Sequence, residues 1–192
     1  MSRLTAKMKN MKRDLILEKA SEMFEKHGFT ELKVSELAQE AGVSVGTIYS
    51  YFESKEGLYS ACVAMDIEHA CVLFEQLFEQ ENSFERIIEK AIQIKFDLIT
   101  QKRKSLESGA LNNPFFFESQ QIEHKEAFDK IYGLYIEPIE KMKTVAIDSW
   151  QLVYILNSIG NAYVLRWIEG ELDSLEGKEK EICAIFMSIL KG

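Results

Sequence analysis

The chain has 192 residues, 46% of them hydrophobic and 11% aromatic, which is enough to bury a well-formed core in one or two domains. A formal net charge of −8 excludes a uniformly basic nucleic-acid binder, so the distribution of charge matters more than its sum. Residues 1–60 carry nine Lys/Arg against nine Asp/Glu, and the whole acidic excess lies in residues 61–192.

With prolines only at 114 and 138 and no alternating Val/Ile/Thr runs between tight-turn pairs, the pattern predicts an all-α chain of about nine helices. The first 13 residues hold five basic side chains and no acidic one, a composition that suits an arm along phosphates or in a minor groove and equally a solvated tail. Ile16, Ala20 and Phe24 then recur every four residues, predicting an inward helix face closed by Gly28-Phe29. Leu37, Ala38 and Ala41 mark a second helix. Gly42 suits the left-handed turn that ends it, Val43 turns inward, and Ser44 caps a third helix from Val45 to about Tyr51. Ile48 and Phe52 pack back on the second helix, leaving Thr47, Tyr49 and Tyr51 free to point elsewhere. This is helix-turn-helix spacing, in which the second helix of the pair enters a major groove.

Ser54 caps a further helix running to about Glu81. Lys55 in its first turn opposes the helix dipole, which suits a phosphate at that end or a solvated face. Ser83 opens a helix whose Phe84, Ile87, Ile88, Ala91, Ile92, Phe96 and Ile99 share a broad face, and Lys102-Arg103-Lys104 reads as its end rather than as a second DNA site. A short helix over 105–111 precedes the break at Asn112-Asn113-Pro114. Phe115, Phe116 and Phe117 cannot all face one core from one turn, so they either gate a pocket or anchor a loop. One long helix is predicted from about Glu118 to Lys143, kinked or broken at Pro138. Helices from about Asp148 to Glu169 and from about Leu175 to Leu190 complete the chain, both so apolar that a partner is implied.

Cys62, Cys71 and Cys183 form no C-x-x-C pair, and His27, His69 and His124 lack metal spacing, so buried thiols, no metal and a reducing compartment are expected. The apolar runs fall short of the roughly 18 residues of a membrane span, which together with the absent signal core predicts a cytoplasmic protein without a membrane partner. No Ser/His/Asp order or Gly-rich phosphate loop suggests an enzyme, and no cofactor is implied.

Ala41-Gly42-Val43-Ser44, Gly46-Thr47-Ile48-Tyr49, Tyr51-Phe52 and Ser54-Lys55-Glu56 together resemble the TetR (tetracycline-repressor) family of bacterial transcription regulators over the first third of the chain. The resemblance implies a helix-turn-helix DNA-binding domain over residues 1–60 and a helical ligand-binding and dimerisation domain over 61–192. Lys33, Ser35, Ser44, Tyr49, Tyr51 and Lys55 become candidates for positioning on double-stranded DNA, and Val45, Gly46 and Thr47 for reaching base edges. Where the family often carries Lys or Arg after the turn serine, this chain has Val45, a side chain suited to a thymine methyl. Where the family usually has Thr or Ser near positions 32 and 33, it has Leu32 and Lys33, with Glu36 available to cap. The resemblance further implies a small hydrophobic or amphipathic effector, for which Phe96, Phe115, Phe116, Phe117, Phe128, Tyr132, Tyr135, Tyr154 and Tyr163 are candidates. It also implies a homodimer through the last two helices, with Trp150, Tyr154, Gly160, Ala162, Trp167, Ile182, Phe186 and Ile189 as interface candidates. The alternative is an architectural or protein-binding helix-turn-helix dimer that senses no small molecule.

Overall fold

The computed structural model describes residues 3–110 and 116–192, and every regular element among them is helical. In chain order these are α1 (Arg3–Glu31), α2 (Val34–Glu40), α3 (Val45–Phe52), α4 (Lys55–Gln80), α5 (Phe84–Gln101), α6 (Arg103–Ala110), α7 (Phe116–Glu123), α8 (Lys125–Met142), α9 (Ser149–Ile168) and α10 (Lys178–Lys191). They fall into two compact units. Unit 1 takes the chain up to Asp66 together with Lys102–Gly109, and unit 2 takes Ile67–Gln101 together with the chain from Ala110 onward.

Unit 1 is built on the periodic face read from α1. Ile16, Ala20 and Phe24 are buried with Leu37 and Ala38 of α2, Ile48 and Phe52 of α3, and Leu58 and Cys62 of α4. Phe24 and Phe29 both meet the Tyr59 ring edge-on, at centroid separations of 5.1 and 5.4 Å, a geometry that favours aromatic pairs beyond their burial. Gly28 departs from helical geometry near the end of α1, as its position predicts. The turn at Lys102 and the start of α6 complete this unit. Lys102 Nζ pairs with Glu25 at 2.7 Å and Asp66 at 2.9 Å and reaches Ser21 Oγ at 3.2 Å, tying α1 to α4. Burial alone would lower the pKa of this ammonium, but the two carboxylates outweigh it and raise the value. Nearby, Lys104 Nζ donates to the Lys26 carbonyl, and Ser105 Oγ donates to Tyr59 Oη.

In unit 2, α10 packs along α5, and α9 lies against α8 and α10. Asp148 caps α9 by accepting from the backbone N–H groups of Trp150 and Gln151. All three cysteines are buried and unpaired, and burial pushes the Cys62 thiol up to about 12.

Two expectations need correcting. The predicted helix over 118–143 is two helices, broken at His124 (φ −111°, ψ 33°) rather than at Pro138, which lies inside α8. The turn around Pro138 is held by the buried flanking residues Tyr135 and Ile139, and this packing offsets the backbone bond that proline cannot make. Secondly, α4 is long and apolar enough to pass as a membrane span, with an 18-residue window of mean hydropathy 1.3. Leu58 and Cys62 on that helix are buried in the core of unit 1, and Asp66 on it pairs with Lys102.

The corner between α3 and α4 admits only a glycine at position 57, because a β-carbon there would run into the Phe52 carbonyl oxygen. Gly133, exposed in α8, has nothing near the place its β-carbon would take. Urea denaturation should therefore show Gly57→Ala losing about 1–3 kcal/mol through overpacking, and Gly133→Ala gaining about 0.5–1 kcal/mol through a stiffer unfolded chain.

Candidate nucleic-acid interface and carboxy-terminal sites

The α2–α3 pair is shaped by a few local bonds. Gly42 takes φ 63°, and the Val43 N–H reaches back to the Ala38 carbonyl at 2.9 Å, closing α2. Val43 packs against the unit 1 core. Ser44 Oγ accepts from the Thr47 N–H at 3.1 Å and lies 2.8 Å from Thr47 Oγ1, capping α3. With Ile48 fully buried and Phe52 nearly so, the opposite face of α3 is turned to solvent and carries Val45, Gly46 and Tyr49, the first and last being 37% and 41% exposed. A helix presenting small and hydroxyl-bearing residues from one face while two large apolar residues fix the other is able to enter a groove.

The flanking candidates are placed less uniformly. Ser35 and Lys33 are exposed at the start of α2, with Lys33 as N-cap residue making no side-chain cap. Glu36, expected to help cap, instead pairs with Lys33 Nζ at 3.1 Å. Tyr51 donates its hydroxyl to the Lys9 carbonyl at 3.2 Å, with Lys9 Nζ 5.8 Å from its ring centroid. Arg13 lies over the Phe52 ring at 5.6 Å, so α3 holds the basic start of α1, which is helical from Arg3. Lys55 is half-buried over the Phe29 ring and donates to the Thr30 carbonyl at 3.2 Å. These internal bonds of Tyr51 and Lys55 were not foreseen, because each joins residues at least 25 positions apart.

In unit 2 the aromatic candidates do not form one set. Phe96, Tyr132 and Tyr135 are buried, Phe117, Phe128 and Tyr163 are half-buried, and Tyr154 is exposed. Tyr132 meets Phe128 and Tyr154 through ring contacts at 5.8 and 5.4 Å and accepts from Gln121 Nε2 at 2.9 Å, while Tyr135 pairs with Phe78. Burial pushes the phenols of Tyr132 and Tyr135 well above the ordinary tyrosine value. Phe115 lies outside the described residues, as does the side chain of Phe116. Two polar atoms here, Gln120 Oε1 and His124 Nε2, are buried without a hydrogen-bond partner. Among the described residues, no group of three His, Cys, Asp or Glu is placed to hold a metal.

Four of the proposed interface residues face inward. Trp167, Ile182 and Phe186 are 6%, 0% and 0% exposed within the single chain, and Gly160 is buried too, each covered by the chain itself. Because α10 packs along α5, much of the apolar surface that implied a second subunit is covered by the chain itself. Trp150, Tyr154 and Ala162 remain exposed and Ile189 half-exposed, and Ile185, not singled out from sequence, is 39% exposed.

Lys95 is not among the residues the sequence motifs point to. It stands on the apolar face of α5, at helical spacing from Ile88, Ile92 and Ile99, and a charge in that row is the signal that would have found it. Its ammonium reaches α9, at 2.6 Å from Asn161 Oδ1 and 2.9 Å from Asn157 Oδ1. The residue as a whole is half-buried, and it is the withdrawal of its amine end from water that draws the amine down to about 7.

Residues 16–62, about a quarter of the chain, match the family described as bacterial regulatory proteins, tetR family. An uncharacterized HTH-type transcriptional regulator of Bacillus subtilis, YvdT, is 26% identical over 77% of this chain and 73% of its own length. A fatty acid metabolism regulator protein of the same species is 28% identical over 76% of this chain and 73% of its own. Among solved structures, the regulator FadR from Bacillus subtilis in complex with stearoyl-CoA superposes with a TM-score of 0.64 at 17% identity, covering 92% of this chain and 96% of that one, a likeness of fold.

The lowered value of Lys95 sets the sign of a pH effect. Between about pH 7 and the ordinary lysine value of 10.5, the unfolded chain holds one proton more at this position than the folded chain, so its contribution to stability rises with pH across that window. Urea titrations at pH 7 and pH 10 should show wild type gaining on Lys95→Met as the pH is raised. A difference that stays constant would place the amine in water.

Proposed function

We propose that this chain, which belongs through its amino-terminal domain to the tetR family of bacterial regulatory proteins, is a homodimeric repressor that leaves a palindromic operator when a small amphipathic molecule binds its carboxy-terminal unit. DNA binding and control of transcription come with the family. The observation that carries the reading is the outward face of α3, where Val45, Gly46 and Tyr49 stand clear while Ile48 and Phe52 hold the helix to its unit. Val45, Gly46 and Thr47 would meet base edges; Ser44, Tyr49, Tyr51, Lys55, Ser35 and Lys33 would position the protein on phosphates. In a dimer the two α3 helices would occupy half-sites about 34–36 Å apart. Its bacterial relatives support a site of action on DNA in the cytoplasm.

Support for an effector comes from unit 2, where the partnerless Gln120 and His124 atoms lie beside Gln121, which donates to buried Tyr132, so that a ligand admitted there would find both polar atoms and aromatic surface. The stearoyl-CoA held by the structurally similar FadR supports an amphipathic molecule with an apolar tail. To empty the operator, that molecule must favour the released state by roughly 1–3 kcal/mol. The exposed stripe of Trp150, Tyr154, Ala162 and Ile185 supports association of two copies.

Selection of bound fragments from genomic DNA should return a near-palindrome, and failure to enrich any symmetric sequence would sink the reading. Against that operator, Lys55→Gln should weaken specific and random DNA alike and lower the salt slope by about one, whereas Val45→Ala should alter preference at one position per half-site. Ile185→Glu and Trp150→Glu should shift the mass in solution from dimer to monomer, as read by light scattering.

A further inference from the structure

Lys95 carries a charge into an otherwise apolar helix face, and what it meets there is neutral. Its ammonium donates to Asn161 Oδ1 at 2.6 Å, to Asn157 Oδ1 at 2.9 Å and to the Asn157 carbonyl at 3.4 Å. No carboxylate pairs with it among the described residues, and the residues outside them contain no Asp or Glu. Withdrawal of an ammonium from water is costly unless an opposite charge accompanies it, and an apolar side chain of similar length would fill the same row with less penalty.

The seat on α9 is specific to an amine. Asn157 and Asn161 are four residues apart and so share one side of the helix. Between them, Gly160 has no side chain; a β-carbon there would lie 3.3 Å from Lys95 Nζ, so the missing side chain leaves the room the amine uses. Both carboxamide oxygens are turned to Lys95, and its third N–H goes to the Asn157 carbonyl at the longest of the three distances, 3.4 Å, the bond an incoming anion would displace. A cation held only by neutral oxygens and lacking an anion of its own is the complement of a carboxylate or phosphate.

We propose that Lys95, seated on Asn157, Gly160 and Asn161, binds the anionic head group of the amphipathic effector, a carboxylate or phosphate borne on an apolar tail. This deepens the reading of unit 2 as the effector domain and rests on it. The ligand supplies the charge that the protein omits, so the same apolar tail ending in a neutral hydroxyl is discriminated against.

The test uses the full chain and three probes with one tail: dodecanoate, dodecyl phosphate and dodecanol, each titrated calorimetrically and then against the operator complex. Wild type should bind one or both anions at least about tenfold more tightly than the alcohol, with the stronger of the two naming the head group. Lys95→Met should bring anion and alcohol to within about twofold of each other. Asn161→Asp, which places a carboxylate on the ammonium, should also abolish the preference while leaving the alcohol bound as before, and it keeps the test open if Lys95→Met does not fold. Equal binding of anion and alcohol by wild type, no binding of either anion, or a preference that survives both substitutions overturns the site. Anion binding that leaves the operator occupied upholds the site and removes effector-driven release; release by dodecanol as readily as by the anions does the reverse.

Discussion

The ammonium of Lys102, held between Glu25 and Asp66, is the interaction on which the amino-terminal unit closes. It joins the long first helix to the fourth from a point in sequence well beyond both, at the turn between α5 and α6. The same short segment sends Lys104 to the end of α1 and Ser105 to Tyr59, whose ring is already clasped by Phe24 and Phe29. The helix-turn-helix thus stands on a platform whose last members come from residues 102–109. Removing the lysine would take a charged partner from two carboxylates that are both partly withdrawn from water, so the penalty would exceed that of an exposed surface pair.

Local chemistry made the reader itself legible. Gly42 at a positive φ, Ser44 as a side-chain cap and the buried pair Ile48 and Phe52 are all decided within a few residues, and the structure places each as the spacing predicts. What the sequence could not disclose were bonds between distant positions. Tyr51 and Lys55 were singled out as groups free to meet phosphate, but each also donates to a backbone carbonyl of unit 1, Lys9 and Thr30 respectively. The break at His124 likewise has no proline or glycine to announce it, and Pro138, which does announce one, is absorbed into α8.

The carboxy-terminal helices show where periodicity stops being informative. An apolar face says that something must cover it, but not whether the cover is another helix of the same chain or a second copy. Trp167, Ile182 and Phe186 lie on such faces and are covered from within. Their exposed neighbours, Trp150, Tyr154 and Ile185, are interspersed with them on the same two helices and have the same hydrophobic character, so only the packing of α9 on α8 and of α10 on α5 and α9 separates the two groups. Lys95 was missed for the opposite reason. One charge among isoleucines looks like an interruption of a pattern until the two asparagines that receive it are placed opposite.

Helix α3, Val45 to Phe52, contains no charged side chain at all. On the proposed reading, whatever it distinguishes on DNA it would distinguish by shape, methyl contact and hydroxyl groups, while the positive charges that would draw the protein to phosphates lie elsewhere, on α1, at Lys33 just ahead of α2, and on α4. Attraction and discrimination would then fall to different parts of the molecule, and they would respond differently to the medium. Added salt would loosen the protein from every sequence together, through the counterions that phosphate contacts release, yet leave the ratio between right and wrong sequences nearly fixed.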